Sequence, residues 1–223
     1  MHIEFLIEDA SGKKMLEVLL PKIYGSREDV TWRIISYKGI GKLPQKGTCR
    51  ADPKVIRHRA LLDNLLRALN GYGQAWTASG IQGQSAVVVV CDLDDRDQAK
   101  FLSELNELLV KCRDKPTTRF CLAIEEGEAW LLGDIPAVKT AYPKCKAQVL
   151  SKYRQDTICG TWEKLADAVY PGGSAALSKQ GYQVVGAEKC KWAERITPLL
   201  TVAKNRSPSF QFFRETVEDL VRQ

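Results

Sequence analysis

Apolar residues in the first half of this chain alternate between strand-like runs and helical stripes, and beyond Glu126 the helical rhythm alone persists. His2-Ile3-Glu4-Phe5-Leu6-Ile7 is a short apolar-rich run that reads as a strand ending at Glu8. Asp9-Ala10-Ser11-Gly12 reads as a turn, and Lys13 to Ile23 places Met15, Leu16, Leu19 and Leu20 at helical spacing. Val30 to Tyr37 predicts a second strand, followed by the glycine-bearing loop Lys38-Gly39-Ile40-Gly41-Lys42. Asp52-Pro53 opens a helix with an apolar stripe at Ile56, Ala60, Leu61, Leu65, Leu66 and Leu69, and Asn70-Gly71 closes it. Ser85 to Cys91 is a β-branched run without polar alternation, as expected of a strand covered on both faces in a parallel sheet. Gln98 to Cys112 predicts a helix and Arg119 to Ile124 a fourth strand. From Glu126 onward the pattern is helical, with a break at Pro171-Gly172-Gly173 and a last helix from about Pro208. Such alternation implies βαβ units, hence an α/β fold: a mainly parallel sheet flanked by helices, with a helical C-terminal extension. The expected division is an α/β core over 1–138 and a basic helical extension over 139–223, packed on the core as one continuous unit because no linker separates them.

Length and composition narrow the class. A chain of 223 residues with 44% hydrophobic and 27% charged residues can bury a core without staples. The longest uncharged apolar run, Ala86 to Cys91, is far short of a membrane span, and Met1-His2-Ile3-Glu4 carries no secretion signal. Seven widely spaced cysteines without a CxxC pair suit reduced thiols, so the expected location is the cytoplasm. His2 and His58 are the only histidines, which leaves little material for histidine-based zinc sites or Ser-His-Asp chemistry.

Charge adds a map. Residues 1–138 hold 19 basic and 19 acidic side chains, whereas 139–223 hold 14 basic and 8 acidic, so the net +6 lies entirely in the C-terminal part. From Arg33 to Arg67 nine basic residues (Arg33, Lys38, Lys42, Lys46, Arg50, Lys54, Arg57, Arg59 and Arg67) face two acids, and from Asp92 to Asp134 eleven acids face six bases. An acidic centre between basic segments suits a metal-dependent enzyme acting on a polyanion.

The acids fall at strand ends: Glu8 after the first, Asp92-Leu93-Asp94-Asp95 after the third, Glu125-Glu126-Gly127-Glu128 after the fourth. In open parallel sheets ligands sit at that edge. Carboxylates converging there repel unless a cation joins them, and an all-oxygen donor set selects Mg²⁺ or Mn²⁺. Asp95 or Asp97 is expected to cap the following helix. Glu126 and Glu128 are candidates for a second metal or for positioning water, in preference to Glu125; a first-turn helical place for Glu128 is the alternative. Ser11-Gly12-Lys13-Lys14 lacks the spacing of a Walker A loop but can offer backbone N–H groups and a lysine to a phosphate. Arg206, between Asn205 and Ser207-Pro208-Ser209, is a candidate phosphate contact, with Ser207 or Ser209 available as a helix cap. Trp130, Trp162 and Trp192 read as packing residues.

Glu8, the Ser11-Gly12-Lys13-Lys14 helix entry and Asp92-x-Asp94 after a buried strand resemble the Toprim domain of topoisomerases, primases and overcoming-lysogenization-defect nucleases. Glu125-Glu126-Gly127-Glu128-Ala129-Trp130-Leu131-Leu132-Gly133-Asp134 and Asn205-Arg206-Ser207-Pro208-Ser209-Phe210 resemble, more specifically, a bacterial Toprim-like family of unknown function. Members of that family are often encoded beside an AAA- or ABC-type ATPase in settings suggestive of phage defence. The resemblance implies a Toprim-like core with Mg²⁺ or Mn²⁺ at Glu8, Asp92 and Asp94. Toprim domains usually place glycine after the first glutamate; here Asp9 stands there, and it is available as another ligand.

The leading expectation is a Mg²⁺- or Mn²⁺-dependent nuclease on DNA or RNA, tRNA included. Glu8, Asp92, Asp94 and Glu126 would hold metal, and Glu126 and Glu128 would otherwise position water. Lys13 would support the transition state, and Ser11, Gly12, Lys14 and Arg206 would contact phosphate. An ATPase subunit is the expected partner, self-association is open, and no membrane is involved. The alternative, from a different class, is a non-catalytic subunit that binds an ATPase. A third reading, nucleotidyl transfer, would use the same metals.

Overall fold

The computed structural model describes residues 1–43, 60–157 and 160–222. The helix start at Asp52-Pro53 and the basic residues Lys46, Arg50, Lys54, Arg57 and Arg59 lie outside the described residues.

Four strands, β1 (His2–Ile7), β2 (Thr31–Ser36), β3 (Ser85–Asp92) and β4 (Thr117–Ala123), form one sheet in the order β2-β1-β3-β4. Every pairing is parallel. β3 lies between β1 and β4, and its Ser85 to Cys91 stretch is buried throughout. Its side chains divide by parity. Ala86, Val88 and Val90 enter one core cluster, and Val87, Val89 and Cys91 enter another on the opposite face.

Helices α1 (Ala10–Tyr24), α2 (Leu61–Ala78) and α3 (Gln98–Val110) are the crossovers. Leu61, Leu65 and Leu69 of α2 and Phe101 and Leu105 of α3 cover one face. Met15, Leu16 and Leu19 of α1 cover the other. The chain steps outward from β1 to β2 and then back across to β3. Right-handed crossovers therefore place α1 on the face opposite α2 and α3.

The remainder is helical: α4 (Glu128–Leu132), α5 (Ile135–Ala141), α6 (Ala147–Leu150), α7 (Thr161–Val169), α8 (Gly173–Ser178), α9 (Tyr182–Ile196) and α10 (Pro208–Leu220). These helices join α1 in a single apolar cluster that runs from Ile3 to Leu220. Trp130 stacks on Phe213 at 4.9 Å, and Phe213 meets Phe5 of β1 edge-on at 6.3 Å. Lys22 of α1 donates to the carbonyls of Thr197, Pro198 and Leu200 at 3.2, 2.5 and 2.9 Å, which ties the end of α9 to α1. Among the described residues, no helix is long and apolar enough to cross a membrane.

Two boundaries differ from the sequence expectation, each for a local reason. Asp9-Ala10-Ser11-Gly12 is no free turn, because Asp9 caps α1 by accepting from the Gly12 N–H at 2.7 Å and so draws the helix start back to Ala10. Asn70-Gly71 does not end α2, which continues to Ala78. The glycine the fold needs is Gly73, where an added Cβ would lie 1.6 Å from the Asp114 carbonyl oxygen, so α2 packs there backbone against backbone.

These neighbours make a paired test. Gly71→Ala, with open space at the new methyl, should stabilise the protein by about 0.5–1 kcal/mol through helix propensity. Gly73→Ala should destabilise it by about 1–3 kcal/mol or more through overpacking. Urea midpoints that move the same way for both would refute this packing account.

Candidate functional site

Strands β1 and β3 are neighbours whose crossovers leave in opposite directions, so the crevice beyond their carboxyl ends is the topological switch point of the sheet. Glu8 follows β1 and Asp92 ends β3. The Glu8 N–H continues the ladder to the Val90 carbonyl at 3.2 Å, and a Glu8 carboxylate oxygen accepts from the Asp92 N–H at 3.0 Å. The following loop is locked to the end of β4: the Leu93 and Asp94 N–H groups donate to the Ala123 and Glu125 carbonyls, each at 2.9 Å. Asp94 and Glu125 both take left-handed backbone conformations, with φ of 52° and 61°. From the other side of the sheet edge, the Gly39 N–H of the Lys38–Lys42 loop donates to the Glu8 carbonyl at 3.1 Å.

Between these ends lies a cavity of about 30 Å³ whose lining includes Glu8, Asp9, Asp92 and Glu128, with Met15 and Trp130 behind them. That volume holds a water or a small cation and no organic ligand. Glu128 begins α4 and is only 2% exposed. Among the described residues, no hydrogen bond or ion pair reaches the Asp92 carboxylate.

Among the described residues, one cation answers these acids. Lys189 of α9 reaches Glu128 at 3.1 Å and Glu126 at 3.3 Å, and its side chain is 14% exposed. Burial alone would lower its proton affinity, but the Glu128, Glu126 and Asp92 carboxylates raise it well above the ordinary value, so Lys189 stays an ammonium. A single ammonium cannot compensate the whole group. Burial therefore pushes Glu8 up to about 7, against the opposing bond from the Asp92 N–H, and pushes Glu126 up to about 7, against Lys189. Burial and the neighbouring Glu8 hold Asp92 well above the usual carboxylate range, and burial raises Glu128 as well. Carboxyls shifted in this way and set in a cleft are candidates for a functional site.

Lys189 escapes a motif-led reading of the sequence. Its signal is spacing: Lys189, Trp192, Ala193 and Ile196 form one i, i+3, i+4, i+7 stripe, and the last three are buried. A lysine that completes an apolar stripe needs a buried acid.

The other expected site residues are placed as follows. Asp94, in its left-handed conformation, pairs with Arg96 at 2.6 Å and is not among the residues lining the cavity, although its charge helps to raise Glu8. Ser11 and Gly12 do line it, but the Ser11 hydroxyl and the Gly12 N–H both donate to Asp9 at 2.7 Å, so the donors expected for a phosphate are taken by the cap. Asp9 thereby acts as an N-cap. Lys13 pairs with Glu17 at 3.8 Å and Lys14 with Glu194, and neither lines the cavity. Glu126 accepts from the Trp162 N–H at 3.2 Å as well as from Lys189, and it too stands outside the cavity lining. Glu125 caps α7 through the Gly160 and Thr161 N–H groups at 2.8 and 2.6 Å. Asp97 caps α3 and Ser207 caps α10. Arg206 lines a different cavity.

The two long motifs meet in space. The Asn205 side chain donates to the Trp130 carbonyl at 2.7 Å, the Arg206 N–H to the Gly133 carbonyl at 2.8 Å, and the Trp130 indole to the Ser209 hydroxyl at 3.1 Å. A Cβ on Gly133 would fall 1.9 Å from the Asn205 amide oxygen, so only glycine lets the segments close. Asp134 caps α5 and also accepts from the Thr201 N–H at 2.9 Å. A family model described as a domain of unknown function (DUF4276) matches residues 7–218, which takes in both motifs and every acid of the site. The chain belongs to the DUF4276 family. No curated protein and no solved structure matches it. In this DUF4276 chain, Trp130, Gly133, Asp134 and the Asn205–Ser209 segment are scaffold, and Glu126 and Glu128 at the start of the first motif are the part that faces Lys189.

A pH test follows from the shifted carboxyls. Glu8 and Glu126 hold protons up to about 7 in the folded chain and release them near 4.5 when unfolded. Over that window the folded state binds more protons than the unfolded one, so stability should fall as pH rises from about 4.5 to 7 in chelator. Glu8→Gln, which can still accept from the Asp92 N–H, should flatten part of that slope. A wild-type unfolding midpoint that is level or rising between pH 5 and 7.5 would contradict this electrostatic account.

Proposed function

We propose that this protein is a Mg²⁺- or Mn²⁺-dependent phosphodiesterase, a nuclease on a Toprim-like fold. The observation that carries the reading is the pair Glu8 and Asp92, side by side at the switch point of an all-parallel sheet and facing a cavity of ionic size. The chemistry of the donors suits a divalent cation, although among the described residues no three of them stand close enough to ligate one as the structure has them. The charged groups lining the cavity are Glu8, Asp9, Asp92 and Glu128, all carboxylates, and Asp92 has no hydrogen-bond donor among the described residues. Glu8 and Asp92 would hold the ion, with Glu128 as the third carboxylate of the wall. Such an ion supplies Lewis-acid polarisation of a phosphoryl oxygen and neutralises developing charge.

The protein's own groups divide the remaining work. The Lys189 ammonium between Glu126 and Glu128 favours a one-metal site, because the place between those two carboxylates is already taken by a cation. Lys189 orients Glu128, whose raised proton affinity suits it to accept a proton from an attacking water. Lys13 and Lys14, on the first turns of α1 beside the cavity wall, and Lys38 and Lys42, flanking the loop on Glu8, supply positive charge for a polyanion. The ATPase partner and the phage-defence setting implied by the motif resemblance belong to the same proposal, with the partner bearing on when the site is allowed to act.

Titrating Mn²⁺ into the purified protein should raise its Tm by about 2–4 °C for each kcal/mol of binding. Asp92→Asn should abolish that shift and reduce cleavage of DNA or RNA on the order of 100-fold or more, the scale of a lost Lewis acid. Asp94→Asn should leave the Mn²⁺ shift in place, since Asp94 pairs with Arg96. Wild-type cleavage by the Asp92→Asn protein would end this assignment. Absence of both the Mn²⁺ shift and cleavage, alone and with the ATPase, would favour the non-catalytic subunit.

A further inference from the structure

A second cavity, of about 520 Å³, opens between α5, the turn after α6 and the loop before α10. It is more than ten times the volume of the acidic one and falls within the range of sites that enclose nucleotide-sized ligands. Its charged lining residues are Lys139, Arg154 and Arg206, and no acid lines it. Among the described residues, none of these three side chains makes an ion pair or a hydrogen bond. Three like charges converging on one concavity without a counter-charge raise its potential and ask for an anion.

The backbone that carries them is pinned from beneath. Asp156, left-handed at φ 51°, accepts from the Ser207 hydroxyl at 2.7 Å and from the Ser209 N–H at 2.5 Å. That knot fixes the chain two residues beyond Arg154 and one residue beyond Arg206. The Arg206 N–H is itself held on the Gly133 carbonyl. Both guanidinium groups thus project from a frame that needs little ordering on binding, and guanidinium matches phosphate in a two-point fork. Gln155 also lines the cavity. Its amide nitrogen donates to the Leu132 carbonyl at 3.1 Å, which fixes the orientation of the amide, and its Oε1 is buried with no partner among the described residues.

We infer that this cavity is a binding site for the phosphate of a nucleotide-sized ligand, separate from the acidic site at the sheet edge. The shared chemistry is a phosphate monoester, and it has two sources: a free nucleotide, or the 5′-phosphate at the end of a nucleic acid strand. The inference goes beyond the phosphodiesterase reading and does not depend on it.

The test uses the full chain carrying Asp92→Asn, in chelator, so that no metal-dependent binding at the acidic site contributes. AMP, adenosine, inorganic phosphate, and a short oligonucleotide with and without a 5′-phosphate are each titrated by calorimetry. AMP should bind and be competed by inorganic phosphate, whereas adenosine should bind at least tenfold more weakly, the scale of one lost charge-assisted contact. Arg154→Ala and Arg206→Ala, both at exposed positions, should each weaken AMP about tenfold with an unchanged Tm. Arg154→Glu should abolish binding. Tighter binding of the 5′-phosphorylated strand than of AMP, with none for its 5′-hydroxyl twin, would identify a strand end as the source. AMP tighter than either strand would identify a free nucleotide. No binding of any phosphorylated probe at millimolar concentration, or equal affinity in the Arg154 and Arg206 variants, would overturn the inference.

Discussion

Burying several carboxylates against one ammonium is the constraint around which the rest of this structure is arranged. Glu8, Asp92, Glu126 and Glu128 come from three strand ends and the start of a short helix, and Lys189 comes from a helix 63 residues beyond Glu126. A buried acid stripped of its partner is among the costlier defects a fold can carry. The helix that brings Lys189 must therefore dock reliably. It does so on α1, with Lys14 paired to Glu194 along its length and Lys22 holding the carbonyls at its end. The C-terminal extension thus supplies the cation that pairs with Glu126 and Glu128 rather than a mere basic covering. Part of the positive surplus of residues 139–223 is spent inward.

How much of this was legible in the sequence depended on whether a residue's role was local. The parallel sheet could be read because β3 is apolar without alternation, which only burial on both faces explains, and Glu8 and Asp92 could be read because they sit where those runs stop. Asp94 illustrates the limit. The Toprim resemblance implies metal at Asp94 as well as Asp92, and nothing in the sequence shows that the chain leaves the strand at Asp92, turns left-handed at Asp94 and pairs that side chain with Arg96. The Asn70-Gly71 signal failed for a different reason: helix-breaking propensity is weak against a tertiary contact, and Gly73 meets Asp114 from a distant part of the chain. Lys189 stayed hidden because Glu188-Lys189-Cys190-Lys191 looks like a solvated charged face until Lys189 is set on the same helical stripe as the packing residue Trp192.

The segments most distinctive in sequence are mostly framework. Asn205 fills the space that a side chain at Gly133 would need, and its amide bridges the Trp130 carbonyl and the Ser207 N–H. Such pairs must change together or not at all, which makes them good markers of a family and poor indicators of chemistry. The exception is the acidic start of the first motif. There the same helix that buries Trp130 and Leu131 presents Glu128 to Lys189, so the scaffold and the site share a single turn.

The two cavities differ in a way that bears on how any phosphorylated substrate would lie. At about 30 Å³, the acidic one admits an ion or a water, so no base or sugar can enter it, and a nucleic acid would have to run across its mouth with only one phosphate engaged. Recognition at such a site is confined to the backbone and carries little sequence information. The basic cavity has the opposite character: room for a whole nucleotide and, among the described residues, three unpaired cations and no carboxylate to hold a metal. On the proposed reading, chemistry would sit in one cavity and selectivity in the other. The link between them is structural, because the Trp130–Asn205 framework that shapes the wall of the first cavity also sets the backbone from which Arg206 enters the second.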